Sequence, residues 1–341
     1  MKFKQWALII CLAALIGFEW PLEAKRTLFW PTPGFTFTKG SNPADFVQPT
    51  ESGKMKSALF GCVRNDGERF HEGLDLAPVR RDRKGEPTDP ILAAMDGRIA
   101  YLNRTEENSN YGLYLVLEHP HVKPTVYTLY AHLRNIKPSL RLGDKVKAGD
   151  KIGIMGRTAG GYAIPVDRAH LHFEIGLRLS DEFDSWYKRN KYSDSNFHGN
   201  YNGINLLGID PLDFYEQYKR REVDSIYTYI KALSTAYILR VSTQKFPAFL
   251  RHYPELMDRQ IPSDAIAGWD IRFTWWGLPI GWIALKADKV SAIKKGQVSV
   301  VSFDRESLET NNCRETILLT ENGPIIGDRS RQILDIIFGQ P

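Results

Sequence analysis

Two short phrases, far apart in the chain, carry the side chains best suited to chemistry: Phe70-His-Glu-Gly-Leu-Asp75 and His170-Leu-His-Phe-Glu174. They offer three histidines and an aspartate, ligand types that zinc prefers. His170 and His172 stand two apart, so on a strand both point to the same face. His71 and Asp75 stand four apart, which keeps them co-facial on a strand or on one helical turn. Gly73 between them and Pro78 just beyond argue against a helix. Two such pairs brought together could hold one metal through three groups and leave one histidine over. Three protein ligands keep a coordination position open for water, which is the arrangement of a catalytic metal site.

The elements that must position these groups read as short strands. Apolar and polar residues alternate over 97–102, 111–118, 126–132 and 169–177, with Gly, Pro, Asn and Asp between them. This pattern predicts a mainly β, antiparallel domain over 55–216. Within it, 180–209 is rich in Asp, Asn, Tyr and Trp without a period and reads as a long loop excursion. Asp210-Pro-Leu-Asp-Phe-Tyr215 then resembles a turn running into a helix. Residues 217–341 predict a smaller α+β C-terminal module, with a helix near 246–258, strands near 271–276, 281–286 and 298–303, and a last helix near 329–338. Its tryptophans (Trp269, Trp275, Trp276, Trp282) are assigned to core packing.

A chain of 341 residues accommodates two such units. The formal charge of +5 suits work near an acidic polymer, but no dense Lys/Arg stripe marks a nucleic-acid surface. Arg80-Arg-Asp-Arg-Lys84 reads as a solvated loop. At the N-terminus, Lys2 and Lys4 precede an apolar run over 6–18 that is short for a membrane span and is broken at Pro21. Residues 1–24 therefore read as an export signal, followed by an extension over 25–54, with the periplasm, cell envelope or exterior as destination. The sole membrane association left open is an N-terminal anchor, should the signal stay uncleaved. Cys11 lacks the small preceding residue that lipid attachment needs. Export permits a disulfide between Cys62 and Cys313. They fall in different modules, however, and two separately buried thiols are an equal expectation.

Four blocks follow one another in order. Arg69-Phe-His-Glu-Gly-Leu-Asp75 comes first, then Ala94-Met-Asp-Gly-Arg-Ile99, then Tyr127-Thr-Leu-Tyr-Ala-His-Leu133. The fourth, Gly143-Asp-Lys-Val-Lys-Ala-Gly149 with Ile152-Gly-Ile-Met-Gly156, leads into the His170 phrase. Together they resemble the LytM/lysostaphin-type zinc endopeptidases, which cleave peptide bonds in bacterial cell walls. The resemblance covers roughly 55–215 and has no counterpart over 217–341. It implies a β-sheet core, one Zn2+ per chain held by His71, Asp75 and His172, and catalytic roles for His132 and His170. It also implies a peptidoglycan peptide as substrate. A metal so held lowers the pKa of water from about 15.7 toward 7, and histidine titrates close enough to that range to carry the proton.

The other candidates have quieter readings. Glu174 shares the His172 face and is expected to orient a ligand histidine. Glu72 points away from His71 and reads as structural. His119 and His121 suit packing or a turn, and His198 and His252 the surface. Two rival functions remain at this stage. One is a catalytically silent relative that activates another cell-wall hydrolase; filled ligand positions speak against it. The other is a biotinyl-type carrier suggested by 143–149, which lacks an exposed lysine between small or methionine residues at a hairpin tip.

Overall fold

The strand Leu171–Arg178 organises the first half of the chain, and all but its last residue are buried. The computed structural model describes residues 28–34, 41–192, 194–292 and 294–339. The export signal assigned to 1–24 lies outside the described residues. On one side, Leu171–Arg178 pairs with Val126–Ala131. On the other it pairs with Leu74–Leu76 near its start and with Leu206–Ile209 near its end. The sheet continues through Tyr114–His119 and Gly97–Asn103 to Lys145–Val146, antiparallel throughout. The first part is thus the mainly β, antiparallel domain that the alternation predicts.

Beyond it, Tyr237–Val241, Met257–Arg259, Gly268–Phe273, Pro279–Leu285 and Val298–Phe303 form a second, five-stranded sheet. The helix Asp328–Phe338 buries Ile333, Leu334, Ile336 and Ile337 along one side, so this part is α+β as expected. Trp269, Trp276 and Trp282 are buried in it, whereas Trp275 is only partly covered.

The stretch 180–209 is less irregular than its composition suggests. Phe183–Arg189 is a helix, and Leu206–Ile209 is a buried strand of the main sheet. Leu-Leu-Gly-Ile is too short an apolar run to show a period, so only its pairing partner reveals it. Gly208 and Gly176 face one another there; a Cβ on Gly176 would sit 2.3 Å from the Leu207 carbonyl oxygen.

The two sheets share one apolar cluster. Trp276 packs edge-on to Phe60 with centroids 5.4 Å apart, and its indole N–H donates to the Gly208 carbonyl at 2.9 Å. Trp275 meets Phe70 at 5.7 Å. Cys62 and Cys313 are joined in a disulfide with their Cα atoms 5.8 Å apart. The expectation of separate thiols fails because the second sheet lies directly against the hairpin Gly61–Arg64/Arg69–His71. Sequence distance gave no hint of that contact.

A buried charge network ties the main sheet to residues 181–201. Glu118 accepts from Arg178 at 2.7 Å and from the Tyr201 hydroxyl at 2.9 Å, and also pairs with Arg98. Burial opposes the Glu118 charge, but Arg98, Arg178 and Tyr201 outweigh it and hold the carboxyl down at about 2. A carboxyl lowered on folding stabilises the native state above its ordinary pKa, and that stability is lost as pH falls through the folded value. We expect Glu118 to account for about 3 kcal/mol of unfolding free energy lost between roughly pH 5 and pH 1. Urea melts across this range should show a shallower acid slope for Glu118→Gln; an unchanged slope would remove Glu118 from the account.

Candidate metal centre

The register of three strands assembles the site. His172 lies opposite Asp75 on one side and opposite Ala131 on the other, so His132 follows directly from the strand that flanks it. Asp75 reaches this place because the chain bends between Arg69–His71 and Leu74–Leu76 at Gly73. A Cβ on Gly73 would lie 2.4 Å from the Phe173 carbonyl oxygen, so only glycine lets the bend press against the neighbouring strand. His71 and Asp75 therefore belong to two short strands with a break between them, not to one continuous strand.

His71 Nε2, Asp75 Oδ1 and His172 Nδ1 face one another. The two histidine nitrogens are 3.0 Å apart, and each lies 3.1 Å from the aspartate oxygen. All three residues are buried, and they form a candidate metal-binding group. Atoms about 2.0–2.1 Å from a tetrahedral zinc lie roughly 3.3 Å from each other, so this triangle fits the ion with little adjustment.

Hydrogen bonds to the far side of each ring fix which nitrogen is free. His71 Nδ1–H donates to the Leu59 carbonyl at 2.7 Å, leaving Nε2 to face inward. His172 Nε2–H donates to Glu174 Oε1 at 2.9 Å, leaving Nδ1. Glu174 is itself held by the Tyr111 hydroxyl at 2.6 Å and the Tyr127 hydroxyl at 2.8 Å. Burial, then the Glu174 charge, pushes both phenols well above their ordinary range, so they stay protonated donors. Asp75 Oδ2 is engaged by Arg64. Such outer partners set ligand orientation and basicity. Glu174→Gln should weaken metal affinity by roughly 10–100-fold in competition with a chelating dye. Unaltered affinity would mean that Glu174 only fills space.

His132 and His170 stand beside the triangle. His132 Nδ1–H donates to the Thr158 carbonyl and His170 Nδ1–H to the Arg168 carbonyl, both at 2.8 Å. Each therefore presents Nε2 as the free acceptor. Their ring centroids are 4.8 Å apart, and His132 is 6.0 Å from His172. His170 Nε2 lies 3.6 Å from Asp75 Oδ2. The backbone of His132 is left-handed, with φ +57°, which swings its ring out of the strand and towards His170.

Burial lowers His132 well below the usual histidine range, helped by the nearby His170 and His172, and it lowers His170 as well. Burial also works against the Asp75 charge, yet His170 and His71 hold that carboxyl well below its ordinary value. His172 rises to about 9: burial resists, but Asp75 and Glu174 prevail. Metal uptake at His172 Nδ1 is accordingly coupled to proton release.

Residues outside the triad divide clearly. His119 is buried and bonded to the Asp96 carbonyl and Thr128, which is a packing role. His198 bonds Tyr101 and the Asn108 carbonyl, and His252 lies 3.5 Å from Asp181. The loop over 80–89 is tied to Arg157 through Glu86 at 2.8 Å. Together with Lys84, Arg134 and Thr158 they line a cavity of about 680 Å³ beside His132. Sequence reading missed Arg64, Tyr111 and Tyr127. Their contacts depend on strand pairing, and no local pattern marks them.

Residues 69–184 match the sequence profile of Peptidase family M23. This segment is similar to an M23 peptidase domain. An "Uncharacterized metalloprotease" of Buchnera aphidicola subsp. Baizongia pistaciae is 34% identical over 108 residues, or 31% of this chain and 23% of that protein. The chain thus spans less than a quarter of this curated relative's length. Solved structures similar to this chain include a zinc-containing peptidase from Vibrio cholerae, 27% identical with a TM-score of 0.26, covering 38% of this chain and 35% of that one. The catalytic domain of the antimicrobial peptidase lysostaphin from Staphylococcus simulans is 20% identical with a TM-score of 0.30. It covers 50% of this chain and 93% of that one.

Proposed function

We propose that the chain is an exported zinc metalloendopeptidase that hydrolyses peptide bonds in bacterial peptidoglycan. The observation that carries this reading is the triangle of His71, Asp75 and His172 donors flanked by two histidines with free Nε2 atoms. The M23 match supports peptidase chemistry. A disulfide closed between Cys62 and Cys313 agrees with an oxidising compartment. The net charge of +5 agrees with an anionic wall polymer.

His71, Asp75 and His172 would hold the ion. When bound, zinc supplies Lewis acidity, polarising a peptide carbonyl and lowering the pKa of water toward about 7. Glu174, Tyr111, Tyr127 and Arg64 keep the three ligands in orientation. His132 and His170, kept neutral by burial, take the proton of the attacking water at Nε2 and return it to the leaving amine. Once protonated, the same nitrogens donate to the oxyanion of the tetrahedral state.

Elemental analysis of the purified chain should find one zinc per molecule. Digestion of intact peptidoglycan should release peptide fragments, and a chelator should stop it. Bound zinc with an undigested wall and undigested peptides would establish the silent regulator instead.

A further inference from the structure

Next to the metal centre, Arg314 and Arg329 come together near Glu72. Arg314 follows Cys313, so the bridge to Cys62 holds its backbone against the hairpin that ends in His71. Its guanidinium lies 4.2 Å over the Phe70 ring, and Nη1 is 3.8 Å from Glu72 Oε1. Phe70 and Glu72 are the two sequence neighbours of His71. Arg329, in the first turn of Asp328–Phe338, donates Nη1–H to Gln332 Oε1 at 2.6 Å. Gln332 in turn reaches the Tyr192 hydroxyl at 3.4 Å.

The donors of the two arginines are not all met. The Nε of Arg314 and the Nε of Arg329 are both buried without a hydrogen-bond partner. Burial, then repulsion by Arg314, pulls Arg329 down to about 9; burial likewise lowers Arg314. Glu72 faces both, but its side chain is 40% exposed while that of Arg314 is 15% exposed. Glu174, whose charge also reaches Arg314, is already engaged by His172, Tyr111 and Tyr127. Two guanidiniums with idle N–H donors match the planar acceptor geometry of a carboxylate. A buried cation left short of compensation is costly, and an anionic ligand removes that cost.

We propose that Arg314 and Arg329 form a carboxylate-binding subsite beside His71, through which the enzyme selects peptides with a negative charge near the cleaved bond. The proposal rests on the peptidase reading and narrows its substrate class. A bridge made only of neutral residues would leave the Nε donors of both arginines unmet. A stem peptide supplies the missing acceptor, from its C-terminal carboxylate or from an acidic side chain.

Three blocked peptides of one neutral sequence separate these sources: a free C-terminal acid, the C-terminal amide, and the amide with one internal glutamate. Binding to the full chain is measured by titration calorimetry after chelator treatment, so hydrolysis does not intrude. The acid or the glutamate peptide should bind at least about tenfold more tightly than the neutral amide, and the arm that gains identifies the source. Arg329→Gln should reduce this preference to less than about twofold while leaving neutral-amide binding and zinc content unchanged. Arg314→Gln should do the same, but Arg314 also packs on Phe70, so Arg329→Gln is the deciding variant. Equal or undetectable binding of all three peptides overturns the subsite, whether or not the zinc-loaded protein cleaves them. Acid preference without cleavage by the zinc-loaded protein leaves the subsite standing and sinks the peptidase reading.

Discussion

His170→Ala should retain one zinc per chain and lose roughly 10²–10⁴-fold in kcat, the range that a positioned proton carrier contributes. The expectation follows from geometry. His170 Nδ1 is tied to the Arg168 carbonyl, and its Nε2 lies 3.6 Å from the Asp75 oxygen that the metal triangle does not use. Removing the ring takes a proton acceptor away without removing a ligand. His132→Ala should behave alike, since its Nδ1 is tied to the Thr158 carbonyl. The double variant should cost less than the product of the two single losses, because groups acting as a unit are non-additive. Elemental analysis beside steady-state kinetics decides the matter. If zinc leaves with His170, that histidine belongs among the ligands and the assigned division of labour is wrong.

The second large effect concerns the Cys62–Cys313 bridge. It closes a loop with a sequence separation of 251 residues. Constraint of the unfolded chain over such a loop amounts to about 5–6 kcal/mol in the chain-entropy account. The double variant Cys62→Ser/Cys313→Ser should therefore lose about that much unfolding free energy in urea melts under oxidising conditions. Under reducing conditions wild type should approach the variant. A loss below about 1 kcal/mol would show that Trp275, Trp276 and their partners hold the hairpin unaided. The hairpin also carries His71 and Arg64, so zinc affinity should fall in parallel with stability. A stability loss with unchanged zinc affinity would show that the triangle is fixed by the main sheet alone.

The sequence exposed whatever repeats locally. Period-two alternation marks the strands around 97–102, 126–132 and 169–177 because one residue in two must face a core. His71, Asp75 and His172 were legible because two-apart and four-apart spacings survive the formation of strands, even with the break at Gly73. The α+β character of the second part was legible from the last helix and from three apolar runs. What stayed hidden depends on distance in the chain. Arg314 meets Glu72, and Cys313 meets Cys62, only because the second sheet packs on the first hairpin. The strand Leu206–Ile209 is defined by its partner Leu171–Arg178 and not by any property of four apolar residues. Glu174 was readable as a partner of His172, but the tyrosines that hold it come from two other segments.

The backbone at His132 has a consequence beyond the orientation of one ring. An L-residue with a side chain at φ +57° raises the free energy of the fold by about 1–2 kcal/mol, which glycine would avoid. Selection for heat resistance alone should therefore drift towards glycine at position 132, and under the proposed role of His132 turnover should fall as it does so. If His132 carries the proposed proton transfer, durability and turnover would trade against each other at this one backbone position.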